Sequence, residues 1–452
     1  MMVPMCAYDP VAEYKTKTKK SAQWFEHASK HLPGGVTGNV KFYPPYPVYL
    51  KKAKGSHVWD LDGNELIDYM LCFGPLILGH GHPKVMAAIR RQLETDGTQI
   101  FGAPHELEAK MAERLKNIFP FADAVRFTNS GLEATMHALR VARGTKRKKR
   151  IAKFEGAYHG CYDEVLVSLT PPEDLAGPEF EPATVSGSFG TPEGILKNVQ
   201  VINYNDIENT DRILRANKDE LAALIMEPVQ RGFVVPDIEF LKAVRETTEE
   251  LGIILIFDEV MSGFRMEKYG AATTTYGVEP DMICLGKIIG GGFPCGAFMG
   301  KREIMDAVNP ATRPKDQRVF HGGTFNGHPT VLAAGMATLD VLEQEKTYAY
   351  LNRVSDSLRD GFNDLFSRQG YDAKAIGPGS TFNIVFTKGP ISDYRDASHC
   401  DTKSRQKLDF GMMARGLHFH PDKPFYTCTE HSDKDVDLTL KAAEEVLKKM
   451  KA

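Results

Sequence analysis

A chain of 452 residues, 42% apolar and 25% charged, has room for two or three domains with a sizeable core and the composition of an ordinary globular protein. Its formal net charge of −3 gives no reason to expect nucleic acid or an acidic membrane surface as partner. Seven cysteines without CxxC or His-rich spacing indicate neither a disulfide framework nor a zinc site and fit reduced, cytoplasmic thiols, and no apolar run approaches the ~20 residues of a transmembrane helix.

The first twenty residues lack the apolar core of a signal peptide and read as a short mobile arm, residues 1–20. Trp24, Ala28 and Leu32 then recur at helical spacing, and Pro33-Gly34-Gly35 stops that helix. Pro44, Pro45 and Pro47 exclude a helix interior from the next stretch. SHVWDLDGNELIDYM predicts a β-hairpin turning at Asp62-Gly63. The apolar, glycine-rich segment Leu71 to Pro83 resists assignment by periodicity. His80 and His82 stand two apart, a spacing that would suit a metal on a strand, but no carboxylate or cysteine neighbours them in sequence; they read as structural, and no metal is expected.

Leu107, Met111, Leu115 and Ile118 predict an amphipathic helix. Next, Ala124 to Phe127 is strand-like, Asn129 to Gly131 is a tight turn, and Leu132 to Arg143 is helical. A small-residue turn opening a helix after a strand leaves free backbone N–H groups aimed at an anion, a phosphate cup, although serine is also a common structural N-cap. The KRKKR run, Lys146 to Arg150, reads as solvated cations near a helix C-terminus. Ile151 to Phe154 is a strand that leads into EGAYHG, so Tyr158 and His159 lie just past a strand end, where an aromatic ring can stack on a planar cofactor. Pro171 to Gly194 is a long Gly/Pro/Ser-rich loop of the kind that forms a lid or subunit contact. Ala222 to Met226 is a buried strand that ends at Glu227.

The strand Ile253 to Phe257 delivers Asp258 and Glu259 at its end, and Met282 to Leu285 delivers Gly286 and Lys287 in the same way. Singly, Asp258 reads as a strand-end cap and Lys287 as a surface lysine. Ligands in parallel α/β sheets, however, sit at the carboxyl ends of strands. An acid and a lysine presented there together suit pyridoxal 5′-phosphate: the amine forms a Schiff base with its aldehyde, and the carboxylate keeps the pyridine nitrogen protonated. Gly290 to Gly292 permit close backbone approach but make no nucleotide P-loop, because Ile288 comes after Lys287 and no glycine stands five residues before Gly286. Thr324 lies on the glycine-rich turn HGGTFNGHP, ahead of a helical run of small residues. The rest, with TFNIVF strand-like and DLTLKAAEEVLKKM helical, reads as α+β. The expected division is an arm at 1–20, the N-terminal part of a small domain at 21–75, a large domain at 76–335 and its C-terminal complement at 336–452.

Together these motifs resemble the class III aminotransferases, of fold type I among pyridoxal phosphate enzymes. PGGV, DGNELID, GPLILGHGHP, RFTNSGLEA, KFEGAYHG, MEPV, IFDEVMSGFR, LGKIIGGG and GGTFNGHP occur in family order from about Ser21 to Lys449, and within the class the group that includes glutamate-1-semialdehyde aminomutase is the most similar. The resemblance implies an α/β large domain with a mostly parallel seven-stranded sheet and a smaller α+β domain. It implies that Lys287 is the Schiff-base lysine and proton shuttle, that Asp258 pairs with the pyridine nitrogen, and that Val260 packs beneath the ring with Tyr158 above. Ser130, Gly131 and Leu132 would hold the phosphate, Glu227 would sit near Asp258 and the cofactor's hydroxyl side, and His159 would be among the cofactor's contacts. Thr324 would reach the phosphate of the other subunit of a homodimer that shares its sites. Lys41 and Phe73 are candidate substrate contacts.

Three departures bear on the reaction. Leu132 replaces the family's threonine in NSGTEA, Lys41 stands where the aminomutase has a carboxylate-binding arginine, and Lys423-Pro424-Phe425 replaces an acidic PSQFE-like element. An ammonium cannot form the guanidinium's bidentate fork. The expected activity is therefore transamination between an amino donor and an oxo acid through pyridoxamine phosphate, with aminomutase or racemase action as alternatives on the same cofactor residues. A cofactor-binding regulator of this fold carries an added DNA-binding domain, for which the residues before the first family helix are too few.

Overall fold

The computed structural model describes residues 8–267 and 269–451. They fall into two compact units: the described residues up to 82, with 346–390 and 399–451, form one, and those between 83 and 345 with 391–398 form the other. The boundaries lie several residues later than the expected 75 and 335, and a short piece of the C-terminal region belongs to the larger unit.

The larger unit is built on a seven-stranded sheet. In chain order its strands are β1 (Ala124–Thr128), β2 (Arg150–Phe154), β3 (Val199–Ile202), β4 (Leu221–Met226), β5 (Ile254–Asp258), β6 (Met282–Gly286) and β7 (Gly296–Gly300). Their spatial order is β1-β7-β6-β5-β4-β2-β3. Only β7 runs against its neighbours; the other six point the same way. Every residue of β4, β5, β6 and β7 is buried, which is why ILIF and LAALIM are continuous apolar runs rather than alternating ones. A sheet with six strands in one direction collects their carboxyl ends on one edge, so Thr128, Met226, Asp258 and Gly286 all end their strands there.

The smaller unit contains the expected hairpin, His57–Asp60 against Glu65–Asp68, with Leu417–His418 added in parallel to the second strand. A second sheet joins Lys374–Ile376, Thr381–Val385 and Phe425–Tyr426. Helices Glu345–Gln369, Thr402–Met413 and Asp433–Lys451 enclose an aromatic core in which Phe382 stacks on Phe425 with centroids 5.1 Å apart. His80, which has no acidic neighbour in sequence, meets the Asp68 carboxylate at 2.7 Å. The expected N-terminal arm is corrected. Residues 1–7 lie outside the described residues, but Pro10–Lys17 is a helix capped by Asp9, and Tyr14 is buried with its hydroxyl donating to Tyr46 O at 2.9 Å. An amphipathic residue such as tyrosine anchors a terminal helix once its O–H finds an acceptor in the core.

Candidate active site

The phosphate-cup turn comes directly after β1. Ser130 caps the helix Gly131–Lys146, its Oγ accepting from Glu133 N–H at 3.1 Å, while Glu133 Oε2 accepts from Asn129 N–H at 2.7 Å. This reciprocal cap fixes the turn and leaves the first helical N–H groups, from Gly131 and Leu132, at the positive end of a sixteen-residue helix. Gly131 has no side chain because there is no room: a Cβ there would lie 2.5 Å from Val260 Cγ1. Gly286 is packed into the same corner, where a Cβ would sit 3.1 Å from Val260 Cγ1 and 3.3 Å from Gly131 Cα. The helix N-terminus, the residue two beyond Asp258 and the residue before Lys287 therefore meet at one point.

Asp258 ends β5 and is buried. Its Oδ1 accepts from Val260 N–H at 3.0 Å, and its Oδ2 lies 2.8 Å from His159 Nδ1. A carboxylate in this setting only accepts, so Nδ1 carries the proton; His159 Nε2, also buried, has no hydrogen-bond partner among the described residues. Asp258 is in register with Cys284 on the neighbouring β6, and Lys287 stands three residues further on, half-buried, with φ +46° at the start of a tight turn. A lysine in the left-handed region is strained, and such strain gathers at functional sites.

The turn after β2 carries Tyr158 and His159. Tyr158 N–H donates to Glu227 Oε2 at 2.9 Å, Thr135 Oγ1 donates to His159 O at 2.6 Å, and a Cβ on Gly160 would meet Leu132 Cγ at 2.9 Å. Tyr158 is 42% exposed, unlike the buried His159 beside it, so part of it is accessible to a ligand. Burial, with Asp258 adding to it, pushes the Glu227 carboxyl up despite the opposing His159 and Arg231. Burial also raises the Tyr158 phenol.

The structure thus gathers Ser130, Gly131, Leu132, Tyr158, His159, Glu227, Asp258, Val260 and Lys287 along one edge of one sheet. Thr324 is exposed on its turn, which is tied to the cup by Asn129 Nδ2 donating to Asn326 Oδ1 at 3.0 Å. Lys41 and Phe73 belong to the smaller unit. Lys41 is exposed and donates to Thr37 Oγ1 at 2.9 Å; Phe73 has φ +64° and its ring lies 6.1 Å from that of His420. Two features escape a reading of the sequence. One is the His159–Asp258 pair, for which the only signal is a histidine next to Tyr158 past a strand end. The other is the strand β7, whose GAFMG is too short and glycine-rich to announce itself.

The family model for aminotransferase class III matches residues 40–386. The chain belongs to the class III aminotransferases. Consistent with this, it is 40% identical over 441 residues to a glutamate-1-semialdehyde 2,1-aminomutase of Thermodesulfovibrio yellowstonii, covering 96% of this chain and all of the relative. Among solved structures, an omega-transaminase from Sphaerobacter thermophilus superposes with a TM-score of 0.89 at 36% identity, covering 96% of this chain and 98% of its own. A transaminase with pyridoxal phosphate bound gives 0.86 at 31%, covering 96% and 99%. A class III aminotransferase is a pyridoxal phosphate enzyme, and the side chains here fit that group: N–H donors at a helix terminus for a phosphate, a buried acceptor-only carboxylate for a protonated ring nitrogen, a lysine at the next strand end, and a buried imidazole nitrogen without a partner among the described residues.

Proposed function

We propose that this class III aminotransferase moves an amino group between an amino acid or amine and an oxo acid. The observation that carries the reading is the convergence of a buried, doubly hydrogen-bonded Asp258 and a strained Lys287 at the ends of adjacent parallel strands. Bound pyridoxal phosphate supplies an electron sink that makes a substrate's Cα proton removable.

The residues divide that work. Ser130 Oγ and the N–H groups of Gly131 and Leu132 hold the phosphate, where the helix dipole favours an anion. Asp258, oriented by Val260 N–H and His159, holds the proton on the ring nitrogen; its fixed negative charge is what keeps that proton in place. Val260 would support one face of the ring and Tyr158 would cover the other, while Glu227 fixes the turn by accepting from Tyr158 N–H. The Lys287 amine would hold the cofactor through its aldehyde carbon and, with a donor amine in that place, would be the base that moves the proton between the substrate's Cα and that carbon. In the same reading two copies share their sites, Thr324 of the partner subunit reaching the phosphate, and Lys41 and Phe73 contact the substrate. The same reading places the chain in the cytoplasm; among the described residues no helix is long and apolar enough to cross a membrane.

One observation favours a second reading: the relatives at about 40% identity over almost the whole chain are named glutamate-1-semialdehyde 2,1-aminomutase. Absorbance of the protein carrying pyridoxal phosphate separates the two. Single amino acids or amines are added with no oxo acceptor present. Conversion of the visible band to that of the cofactor's amino form by a donor supports amino transfer and names the donor. If none converts it, and glutamate-1-semialdehyde is isomerised without a second substrate, the aminomutase reading replaces this one.

A further inference from the structure

The turn that presents Tyr158 and His159 is held by residues from far along the chain. Residues 391–398 group with the larger unit although the sequence on both sides belongs to the smaller one. The entry to this strap is fastened by two asparagines after β3: Asn205 Nδ2 donates to Ser392 O at 2.7 Å and Asn203 Nδ2 to Asp393 Oδ2 at 3.0 Å. Next along it, Tyr394 lies against Gly156, where a Cβ would come within 2.3 Å of the ring and where φ is +76°, so no other residue fits the turn. Arg231 donates to Gly156 O at 2.6 Å and to Leu169 O at 2.7 Å, with its guanidinium 5.9 Å from the Tyr394 ring centroid.

Arg395 makes the decisive contacts. Its Nε and Nη2 donate to the two carboxylate oxygens of Glu155 at 2.7 and 3.0 Å, and Glu155 is fully buried. Its guanidinium also donates to Ala176 O at 3.1 Å and Gly177 O at 2.8 Å, in the long loop Pro171 to Gly194. One side chain therefore binds the residue that opens the Tyr158 turn and the backbone of the loop at the same time.

We infer that Arg395, with Tyr394 beside it, is a positioning residue of the active site: acting through Glu155 and Gly156, it fixes the turn that seats Tyr158 and His159 and couples that seat to the order of the Pro171–Gly194 loop. The inference rests on Asp258, His159 and Tyr158 facing the cofactor. The chain of contacts is short. Glu155 N–H is bonded to Ile202 O, Gly156 N–H to Ser168 O and Tyr158 N–H to Glu227, and His159 reaches Asp258 four residues after Glu155. A planar guanidinium can serve a carboxylate and two carbonyls together; an ammonium can keep the charge but not the fork.

Three measurements on Arg395→Ala and Arg395→Lys test this. Amide hydrogen exchange of the cofactor-free protein should show faster exchange in the segments 154–160 and 174–184 together, with the central strands unchanged. With pyridoxal phosphate added, the pH midpoint of the visible band should move, because His159 and Asp258 are no longer held alike. Turnover should fall in kcat by about a hundredfold, the scale on which a misplaced group acts, with KM less affected. Arg395→Lys should retain the fold and fall between the wild type and Arg395→Ala, and if the alanine variant fails to fold the lysine variant decides. A wild-type pH midpoint and kcat in a folded variant, or exchange that rises in only one of the two segments, overturns the inference. If the wild type itself shows no visible band, the cofactor reading fails, while the exchange experiment still decides whether Arg395 couples the turn to the loop.

Discussion

His159 Nδ1 lies 2.8 Å from Asp258 Oδ2, with both residues buried. In water an imidazole and a carboxylate at this distance gain little; out of water the pair fixes both the ring's tautomer and the direction of the carboxylate. The second oxygen is tied to Val260 N–H, so the carboxylate cannot rotate. The ring's other nitrogen is buried with no partner among the described residues. In the proposed reading this orientation is what lets Asp258 keep a proton on the cofactor's ring nitrogen.

Asp258→Asn should therefore lower kcat by about a thousandfold, within the range for loss of a positioned acid–base partner. His159→Ala should cost less on its own, and the double variant should be no slower than Asp258→Asn alone, because residues that act as one unit are not additive. Steady-state kcat for the three variants checks this. Additive losses would mean that His159 acts on the cofactor independently of Asp258.

Lys287 should be the point of attachment. Borohydride added to the protein carrying pyridoxal phosphate should fix the cofactor on the peptide that contains Lys287, as read by mass. Lys287→Ala should show no such adduct and should lose turnover by about ten-thousandfold, the upper end for a proton-transferring group. Label recovered on another lysine would displace the assignment.

Much of this site is legible in the sequence, because strand-end chemistry is local. A buried strand announces itself as an apolar run, and the residues just past its end lie at the sheet edge wherever the strand sits. Asp258, Glu227 and Lys287 are therefore readable without any knowledge of strand order. The illegible part depends on contacts distant in sequence. His80 has no carboxylate beside it in the chain but gains Asp68 through the fold. The KRKKR run looks like a solvated cluster, yet Arg150 donates to Asn217, Glu220 and Gln200, and Lys148 to Lys218 O, so two of its cations are engaged by neighbouring elements. The strap at 391–398 carries no periodicity, and its place in the larger unit is set by Asn203, Asn205 and Glu155, nearly two hundred residues earlier or more.

The corner formed by Gly131, Val260 and Gly286 should be intolerant of added volume. Gly131→Ala places a Cβ 2.5 Å from Val260 Cγ1 and 2.7 Å from Cγ2, so valine must move. Overpacking of this kind costs about 1–3 kcal/mol. Val260→Ala removes both offending methyls, so the double variant should recover part of the loss seen in urea denaturation of the cofactor-free protein. If Gly131→Ala is as stable as the wild type, the corner is looser than its geometry implies, and close packing would not explain the glycine.

The smaller unit should lose stability as the medium is acidified, in a window set by His431. Its ring stacks on Tyr69 at 4.6 Å and 6°, with neither residue exposed, and Nδ1 accepts from Cys428 N–H at 3.0 Å. Burial pushes the imidazole down to about 4, and the nearby Asp435 and Asp68 do not offset it. The folded state thus keeps His431 neutral where the unfolded chain, with an ordinary value near 6.5, takes up a proton. Stability linked to this group is complete above about pH 6.5 and falls as the pH drops towards 4, because the unfolded state binds more protons throughout that interval. The shift corresponds to about 2–3 kcal/mol between pH 7.5 and 4.5 at 1.36 kcal/mol per unit. His431→Phe keeps an aromatic ring on Tyr69 but cannot titrate. It should be less stable than the wild type at pH 7.5, since Cys428 N–H loses its acceptor, and should show a smaller drop in urea midpoint on going to pH 4.5. Equal drops in the two proteins would assign the acid sensitivity to other groups.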